Sequence, residues 1–308
     1  MYVNNLVLKN FRNYGSQCFS FSRGMNFIAG KNGVGKTNIL EAISVVSDLR
    51  SFRHNADSEL VQWGNDSYFC SASVLDNDDM MFEVGYTNNN EKIKKRVKID
   101  NVEQHKALDY YGRLLTVVIS PDDLSIITGG PEIRRRYFDS VISKGDRDYF
   151  QKLIEFRKIL SSRNAVLKGL RNSAVGNNGQ LSVWNEMFAE TASLIIIKRE
   201  KFISEFALCF SEVYRDIFGE ENVPFLTYTF FPSTSDADAI YRELQKRKER
   251  DIIQGSTTIG PQRDDYRLTD GKGHLFQSYS SQGQKRTAAV SLKISELLYI
   301  ENIRKKKQ

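Results

Sequence analysis

A glycine-rich segment at positions 30–37 carries the residue types that bind phosphate. Its residues, in order, are Gly30, Lys31, Asn32, Gly33, Val34, Gly35, Lys36 and Thr37, with the spacing G-x-x-x-x-G-K-[ST]. A polyphosphate is held by several backbone N–H groups at close range, and glycines let the chain turn sharply enough to supply them. Lys36 would reach the outer phosphates of a nucleotide, and the Thr37 hydroxyl would ligate Mg²⁺.

The segments on either side fit a phosphate-binding loop. Residues 25–29 are mostly apolar and are predicted to form a short buried strand. Residues 38–49 place Ile39, Ile43 and Val46 at helical spacing, which predicts a helix whose N terminus adds N–H donors for the anion. Strand, glycine loop and helix form the context that this motif requires. The alternative interpretation is a glycine-rich turn that precedes a lysine by chance and binds no phosphate.

Composition bounds the class of protein. The 308 residues are 40% hydrophobic, enough for a large core in one or two domains. The net charge of +6 is compatible with a nucleic-acid partner but does not establish one. Cys18, Cys70 and Cys209 are widely spaced and show no metal pairing, as expected in a reducing cytoplasm. No apolar run reaches membrane-spanning length, so a cytoplasmic protein without a membrane partner is predicted.

Short strands dominate the first third of the chain. Alternating patterns predict strands at residues 2–9, 17–21, 67–74, 81–86 and 93–99, the later ones forming an antiparallel region appended to the core sheet. The basic run at 92–98 is interpreted either as a solvated strand face or as a face toward DNA. Residues 114–119 are predicted to be another buried strand. Pro121 follows it and would displace Asp122 and Asp123 from the strand tip, so a helix or turn near the nucleotide is favoured over a Mg²⁺-ordering role.

The middle of the chain is helical. Pro131 and Glu132 are typical of a first helical turn. Three consecutive arginines follow, Arg134, Arg135 and Arg136, and consecutive residues cannot share one face of a helix. Two interpretations are open: the arginines form a solvated, partly ion-paired face, or they contact DNA or nucleotide. Heptads over 153–170 and 188–213, broken only at Arg163 and Arg199, predict a helical hairpin with a polar tip at 171–180. A helical subdomain packed on the core is the alternative.

The last quarter of the chain ends in a second candidate anion site. A strand is predicted at 225–231 and helices at 236–250 and from 287 to about 302. Just before the last helix, Ser281, Gly283 and Gln284 combine a hydroxyl, a flexible backbone position and a helix N terminus. This arrangement resembles the signature loop of ABC-type ATPase heads, in which the loop faces the γ-phosphate held by another subunit.

Seven blocks in this order resemble the RecF family of SMC-like ABC ATPases. They are Asn10-Phe11-Arg12-Asn13-Tyr14, the glycine loop with Asn38-Ile39-Leu40-Glu41-Ala42, Arg50-Ser51-Phe52-Arg53, Ser120-Pro121-Asp122-Asp123-Leu124, Arg134-Arg135-Arg136-Tyr137-Phe138-Asp139, Gly260-Pro261-Gln262-Arg263-Asp264-Asp265 and 281–286. The resemblance covers almost the whole chain. It implies an α/β P-loop ATPase head, in parts 1–145 and 221–308, with a helical hairpin arm inserted at 146–220.

The resemblance also implies partners and a function. A RecF-like protein would bind ATP and Mg²⁺, form an ATP-dependent homodimer with Ser281, Gly283 and Gln284 acting in trans, and load at gaps or single-strand/double-strand junctions of damaged DNA. It would work with the RecO and RecR mediators in recombinational repair, replication restart and the SOS response. The residues that contact DNA are not identified by the sequence, and no catalytic residue is assigned.

Two departures from the family pattern concern catalysis. The family usually has a histidine where this chain has Gln262, so a titrating group is lost there. The family also follows its signature helix with an apolar strand ending in paired acids that order Mg²⁺ and the attacking water. This chain ends at 304–308, where that strand is expected. ATP binding is therefore predicted, and hydrolysis by these residues alone is not.

Three other functions are weighed against this one. A small-molecule kinase could use the same glycine loop, but it would have no use for the heptad helices or the Ser281 loop. An SMC-like structural or defence ATPase head would have much longer helical arms. A nucleotide-binding protein that never hydrolyses its ligand is consistent with the absence of the acidic strand.

Overall fold

The computed structural model describes residues 1–53, 55–76, 78–89, 92–172, 178–219 and 223–307. The chain divides into two compact units, Met1–Val118 and Ile119–Gln308. The domain boundaries predicted after residues 145 and 220 remain predictions.

The first unit is built on a six-stranded antiparallel sheet with the order β2-β1-β3-β4-β5-β6. Its strands are β1 Tyr2–Phe11, β2 Tyr14–Ser20, β3 Ser67–Leu75, β4 Asp79–Asn89, β5 Lys92–Ile99 and β6 Val102–Glu103. The five strands predicted in this region are confirmed, and they lie in one sheet. Helices α1 Lys36–Asp48, α2 Asp57–Leu60 and α3 Ala107–Tyr110 complete the unit.

One face of this sheet forms a core with α1. Leu8 of β1 and Val84 of β4 are fully buried in the same cluster as Val45 and Val46 of α1. Burial of alternate strand residues against the apolar stripe of a helix is the expected way to close such a layer. The sheet and α1 therefore position the glycine loop, which lies between β2 and α1 in the chain.

The basic run at 92–98 is divided by strand alternation. Lys94 and Arg96 of β5 are exposed. Lys95 turns toward the core side, where its Nζ donates to Asp57 Oδ1 at 2.8 Å and to the Leu49 carbonyl at 2.7 Å. Lys95 is thus a structural group, and an outward DNA-facing role is restricted to its neighbours.

Two strand predictions are wrong. Residues 25–29 and 114–119 are assigned to no strand, and they pair with no strand among the described residues. Met25 and Phe27 are 78% and 87% exposed, and Ile119 is 53% exposed. Apolar composition marks a segment that can be buried in a sheet, but a strand also needs a hydrogen-bonded neighbour.

The second unit is mainly helical. Its elements are a 3₁₀ turn at Pro121–Asp123, α4 Leu124–Thr128, α5 Pro131–Gly145, α6 Arg147–Asn172, α7 Asn178–Phe218, β7 Phe225–Thr229, α8 Ala237–Lys246, α9 Lys248–Gln254, β8 Asp265–Thr269, α10 Phe276–Tyr279 and α11 Gln282–Lys307. Strands β7 and β8 pair antiparallel. The single helix predicted at 236–250 is two helices, because Arg247 leaves the helical conformation (φ −93°, ψ 3°). The last helix begins at residue 282 rather than 287.

Helices α6 and α7 lie against each other, and α7 also packs on β7, α8 and α11. Phe156 of α6 and Phe188 and Phe206 of α7 are buried in one cluster with Tyr266 of β8 and Leu292 of α11. The predicted heptad positions thus face the core of the second unit. The predicted turn around Gly176 lies partly outside the described residues.

The two arginines that break the heptad pattern form buried ion pairs. Arg163 of α6 is fully buried, and its Nη1 donates to Asp251 Oδ2 of α9 at 2.9 Å. Arg199 of α7 is 2% exposed and donates to Asp139 Oδ1 at 2.8 Å and to Asp264 Oδ2 at 3.1 Å. Each arginine therefore joins its helix to a part of the second unit distant in sequence.

Candidate nucleotide site

The glycine loop has the backbone conformation that its glycines predict. Gly33 and Gly35 have φ angles of 86° and 100°, in the left-handed region that favours glycine. A Cβ on Gly35 would lie 2.5 Å from Asn13 Oδ1, so a side chain there would collide with its neighbour. Helix α1 begins directly after Gly35, and no side chain caps its first turn. The loop thus provides a narrow cradle at a helix N terminus, and this fits a phosphate group.

The reactive side chains of the loop lie where the spacing predicts. Lys36 Nζ donates to the carbonyl oxygens of Gly30 and Lys31, both at 2.7 Å, and so spans the loop. A phosphate oxygen is the stronger partner for an ammonium group, because the hydrogen bond is then charge-assisted on both sides. Thr37 is exposed in the first turn of α1, where its hydroxyl could hold Mg²⁺. Among the described residues, no group of three or more His, Cys, Asp or Glu residues forms a metal cluster.

A buried carboxylate under the loop was not identified as functional from the sequence. Glu41 of α1 is fully buried and accepts two hydrogen bonds from Arg12, at 2.9 and 2.8 Å. Ser51 Oγ donates to the same carboxylate at 2.6 Å, and Arg53 Nη1 lies 3.7 Å from it. The only sequence signal was that all four residues fall within the blocks shared with the RecF family. Glu41 therefore ties two separate segments, at Arg12 and at 51–53, to the helix that follows the loop.

Asn13 fixes the loop itself to the β1–β2 turn. Its Nδ2 donates to the Val34 carbonyl at 3.0 Å, and its Oδ1 accepts from Asn38 Nδ2 at 2.8 Å. Arg53 Nη1 in turn donates to Asn38 Oδ1 at 3.3 Å. These hydrogen bonds fix the loop to neighbouring segments, so its conformation does not depend on the glycines alone.

Replacing Glu41 with glutamine is expected to destabilise the first unit by about 2–3 kcal/mol, because Arg12 and Arg53 lose their shared buried counter-charge. Hydrogen exchange of peptides from β1 and α1 measures this loss of protection. Glu103→Gln is the matched control, since Glu103 forms only a 3.9 Å pair with the exposed Arg96 and should change stability by less than about 0.5 kcal/mol. Equal protection in both variants would contradict the central role of Glu41.

The signature-loop residues form the N terminus of α11. Ser281 N–H donates to Gln284 Oε1 at 2.7 Å, and Gln284 N–H donates to Ser281 Oγ at 3.2 Å, a reciprocal capping box. Ser281 Oγ is the acceptor in this pair, so its own proton remains available to an anion. Gly283 is exposed, and a Cβ there would lie 3.9 Å from Ser281 Oγ, an ordinary van der Waals contact. Ser281, Gly283 and Gln284 therefore lie together at the start of α11, and their contact with a nucleotide stays a prediction.

Helix α11 is held in place by a buried charge cluster. Glu296 accepts hydrogen bonds from Lys144 of α5, at 3.0 Å, and from Lys293. Burial disfavours the carboxylate, but the two lysines outweigh burial and keep the pKa of Glu296 below its usual value. Lys293 also lies 5.1 Å from the centre of the Tyr137 ring. The helix carrying Ser281 is thereby joined to α5.

The acids after residue 120 start a helical turn, as predicted. Ser120 N–H donates to Asp123 Oδ2 at 2.6 Å, and Pro121 occupies the first position of the turn. Burial raises the pKa of Asp123. The carboxylate of Asp123 therefore acts as a cap in this structure.

Comparison with known proteins places these motifs in a family. Residues 2–306 match the family model described as RecF/RecN/SMC N terminal domain. The chain is 34% identical over 304 residues to the DNA replication and repair protein RecF of Leptospira interrogans serogroup Icterohaemorrhagiae serovar Lai (strain 56601), covering 98% of this chain and 81% of the relative. It is 33% identical over 302 residues to the protein of the same name from Thermoanaerobacter sp. (strain X514), covering 96% and 82%. The chain belongs to the RecF family. The predicted family and its role in DNA replication and repair are confirmed.

Two solved structures confirm the fold of this RecF-family chain. One is described as the recombination mediator protein RecF–ATP in the RecFOR pathway, with a TM-score of 0.90 and 32% identity. The other is the corresponding RecF–ATPrS structure, with a TM-score of 0.88 and 33% identity. Each match covers 98% of this chain and 82% of the other. The predicted fold class, an α/β ABC-type ATPase head, is therefore confirmed. Within the described residues, no helix has the length and apolar character needed to cross a membrane.

Proposed function

We propose that this RecF-family chain binds ATP with Mg²⁺ in the glycine loop. The observation that carries the proposal is the cradle in front of α1, where a Cβ on Gly35 would collide with Asn13 and where Lys36 spans the loop. Lys36 would hold the outer phosphates, and Thr37 would ligate Mg²⁺. When bound, the metal ion would neutralise part of the charge of the phosphates. The backbone N–H groups of the loop orient the same phosphates.

The nucleotide would also join two copies of the chain. Ser281, Gly283 and Gln284 of one copy would contact the γ-phosphate held by the Lys36 loop of the other. The capping box supports this role, because it orders the start of α11 while leaving the Ser281 proton available. ATP that contacts both copies adds binding energy only to the dimer, so it shifts the equilibrium toward pairing.

The proposed dimer would act on gapped or damaged DNA in the cytoplasm. Basic side chains would contact the phosphate backbone, which gives affinity with little base readout. The RecO and RecR mediators are the proposed protein partners, since the related solved structures are described within the RecFOR pathway. Residues 1–145 and 221–308 would form the ATPase head, and 146–220 the arm.

Light scattering tests the dimer. The wild-type chain with a non-hydrolysable ATP analogue should double in mass, whereas Lys36→Met and Ser281→Arg should remain monomeric. Ser204→Arg provides a matched control, because Ser204 is exposed on α7 and takes no part in either loop. It should dimerise like the wild type. A wild-type chain that binds the analogue and stays monomeric would contradict the proposal.

A further inference from the structure

The second unit contains a cleft of about 230 Å³ that neither loop uses. It lies between α5, α6, α7 and the segment at Pro261 and Gln262. Four arginines and two acids line it: Arg135, Arg136, Arg157, Arg199, Glu132 and Asp139. Four guanidinium groups around one cleft repel each other, and the repulsion is largest for the buried Arg199 and its half-buried neighbour Arg135.

Three acids offset part of this charge, because the buried Asp264 also pairs with Arg199, at 3.1 Å. Arg136 pairs with Glu132 at 2.8 Å. Arg199 pairs with Asp139 at 2.8 Å. Burial opposes the charge of Arg199, but Asp139 and the neighbouring tyrosines outweigh it and raise the pKa of Arg199 well above its usual value. These pairs are therefore internally satisfied.

The other two arginines leave positive charge in the cleft. Arg135 Nη1 donates to the backbone carbonyl of Asp264 at 2.5 Å, and Arg135 forms no ion pair with a described carboxylate. Arg157 is exposed on α6 and pairs with none of the described acids. Burial, with the charge of Arg199, lowers the pKa of Arg135. An anion entering the cleft would relieve this repulsion.

Gln262 also lines this cleft. Its Nε2 donates to the Ile259 carbonyl at 2.6 Å, which directs Oε1 elsewhere. That oxygen is buried and has no hydrogen-bond partner in the described structure. An acceptor that solvent cannot reach takes no part in binding a ligand in this conformation. The cleft thus offers guanidinium donors for an oxyanion.

We propose that this cleft binds one phosphate group of a DNA strand, held by Arg135 and Arg157. The inference rests on the DNA binding proposed above and assigns residues to it. Arginine suits the role because its planar donors match two phosphate oxygens. The cleft is smaller than the roughly 300–1,000 Å³ of sites that enclose a whole small molecule. It therefore fits one unit of a passing strand better than a free nucleotide.

The test is the salt dependence of DNA binding. Anisotropy of a labelled gapped duplex is measured from 50 to 200 mM salt for the wild type, Arg157→Gln and Arg135→Gln/Arg157→Gln. Loss of this one phosphate contact should reduce the slope of log K against log salt by about 0.7–0.9 in the double variant, and by a smaller amount in Arg157→Gln. The double variant should bind roughly tenfold more weakly at low salt. Arg242→Gln is the charge-matched control, because Arg242 is 67% exposed on α8 and forms only a 3.9 Å pair with Asp236.

A second measurement separates DNA from nucleotide phosphate. Titration of the same variants with a fluorescent ATP analogue should show wild-type affinity. A fall in ATP affinity with unchanged DNA binding would overturn the proposal. The proposal would also be overturned if Arg157→Gln and the double variant kept the wild-type salt slope. It would be overturned too if Arg242→Gln lowered the salt slope as much as the double variant does. If the wild type itself does not bind DNA, the proposed function fails and this inference fails with it.

Discussion

Replacing Lys36 with methionine is expected to weaken ATP binding about a hundredfold. The lysine is the one side chain of the loop that spans it, with both hydrogen bonds at 2.7 Å to loop carbonyls. Methionine keeps the length of the side chain but removes the charge and all three donors. Losing a charged partner of a phosphate costs about 2–5 kcal/mol, and each 1.4 kcal/mol is a factor of ten in affinity. Isothermal titration calorimetry with ATP and Mg²⁺ measures the change.

Lys106→Met is the matched control for this experiment. Lys106 is exposed in the first unit, next to α3, and takes no part in the glycine loop. The control carries the same loss of charge and should bind ATP like the wild type. Equal affinity of Lys36→Met and the wild type would show that the glycine loop is not the nucleotide site.

Replacing Arg199 with methionine is expected to destabilise the second unit by about 3–5 kcal/mol. The substitution would leave the buried Asp264, and Asp139 beside it, without the guanidinium that pairs with them. A buried carboxylate that loses its partner retains its desolvation penalty without the compensating attraction. Urea unfolding followed by the fluorescence of Trp184 measures this, because Trp184 packs against the core of the second unit. The other tryptophan, Trp63, is 98% exposed and should change little.

The control for Arg199 lies on the same helix. Lys201 of α7 is exposed, so Lys201→Met removes a positive charge without disturbing a buried pair. It should shift the free energy of unfolding by less than about 0.5 kcal/mol. Similar stabilities for the two variants would indicate that the Arg199 network contributes orientation rather than stability.

Features set by neighbouring residues were predicted well. The glycine loop, the start of α5 at Pro131 and the cap of α11 at Ser281 each depend on residues within a few positions of one another. The strands of the first unit were also found, because alternation is a local pattern and each strand has a partner close by in the chain. The blocks shared with the RecF family were sufficient to identify the family.

Features that depend on distant partners were not predicted. Residues 25–29 read as a strand because they are apolar, but no described strand pairs with them. Arg163 and Arg199 looked like defects in a heptad repeat, because their partners lie 88 residues away for Arg163 and 60 and 65 residues away for Arg199. The sequence pattern gives the type and spacing of side chains, but it does not show which charged residues will form ion pairs with each other.

The sequence by itself determined the glycine loop, the serine-capped helix and membership of the RecF family, because these depend on short runs of residue types. Only the tertiary structure decided that Glu41 braces the loop through Arg12, 29 residues away. It also decided which arginines are neutralised and which leave charge in the cleft. The reason is physical: the charge state and partners of a side chain depend on burial and proximity, and folding alone brings such groups together.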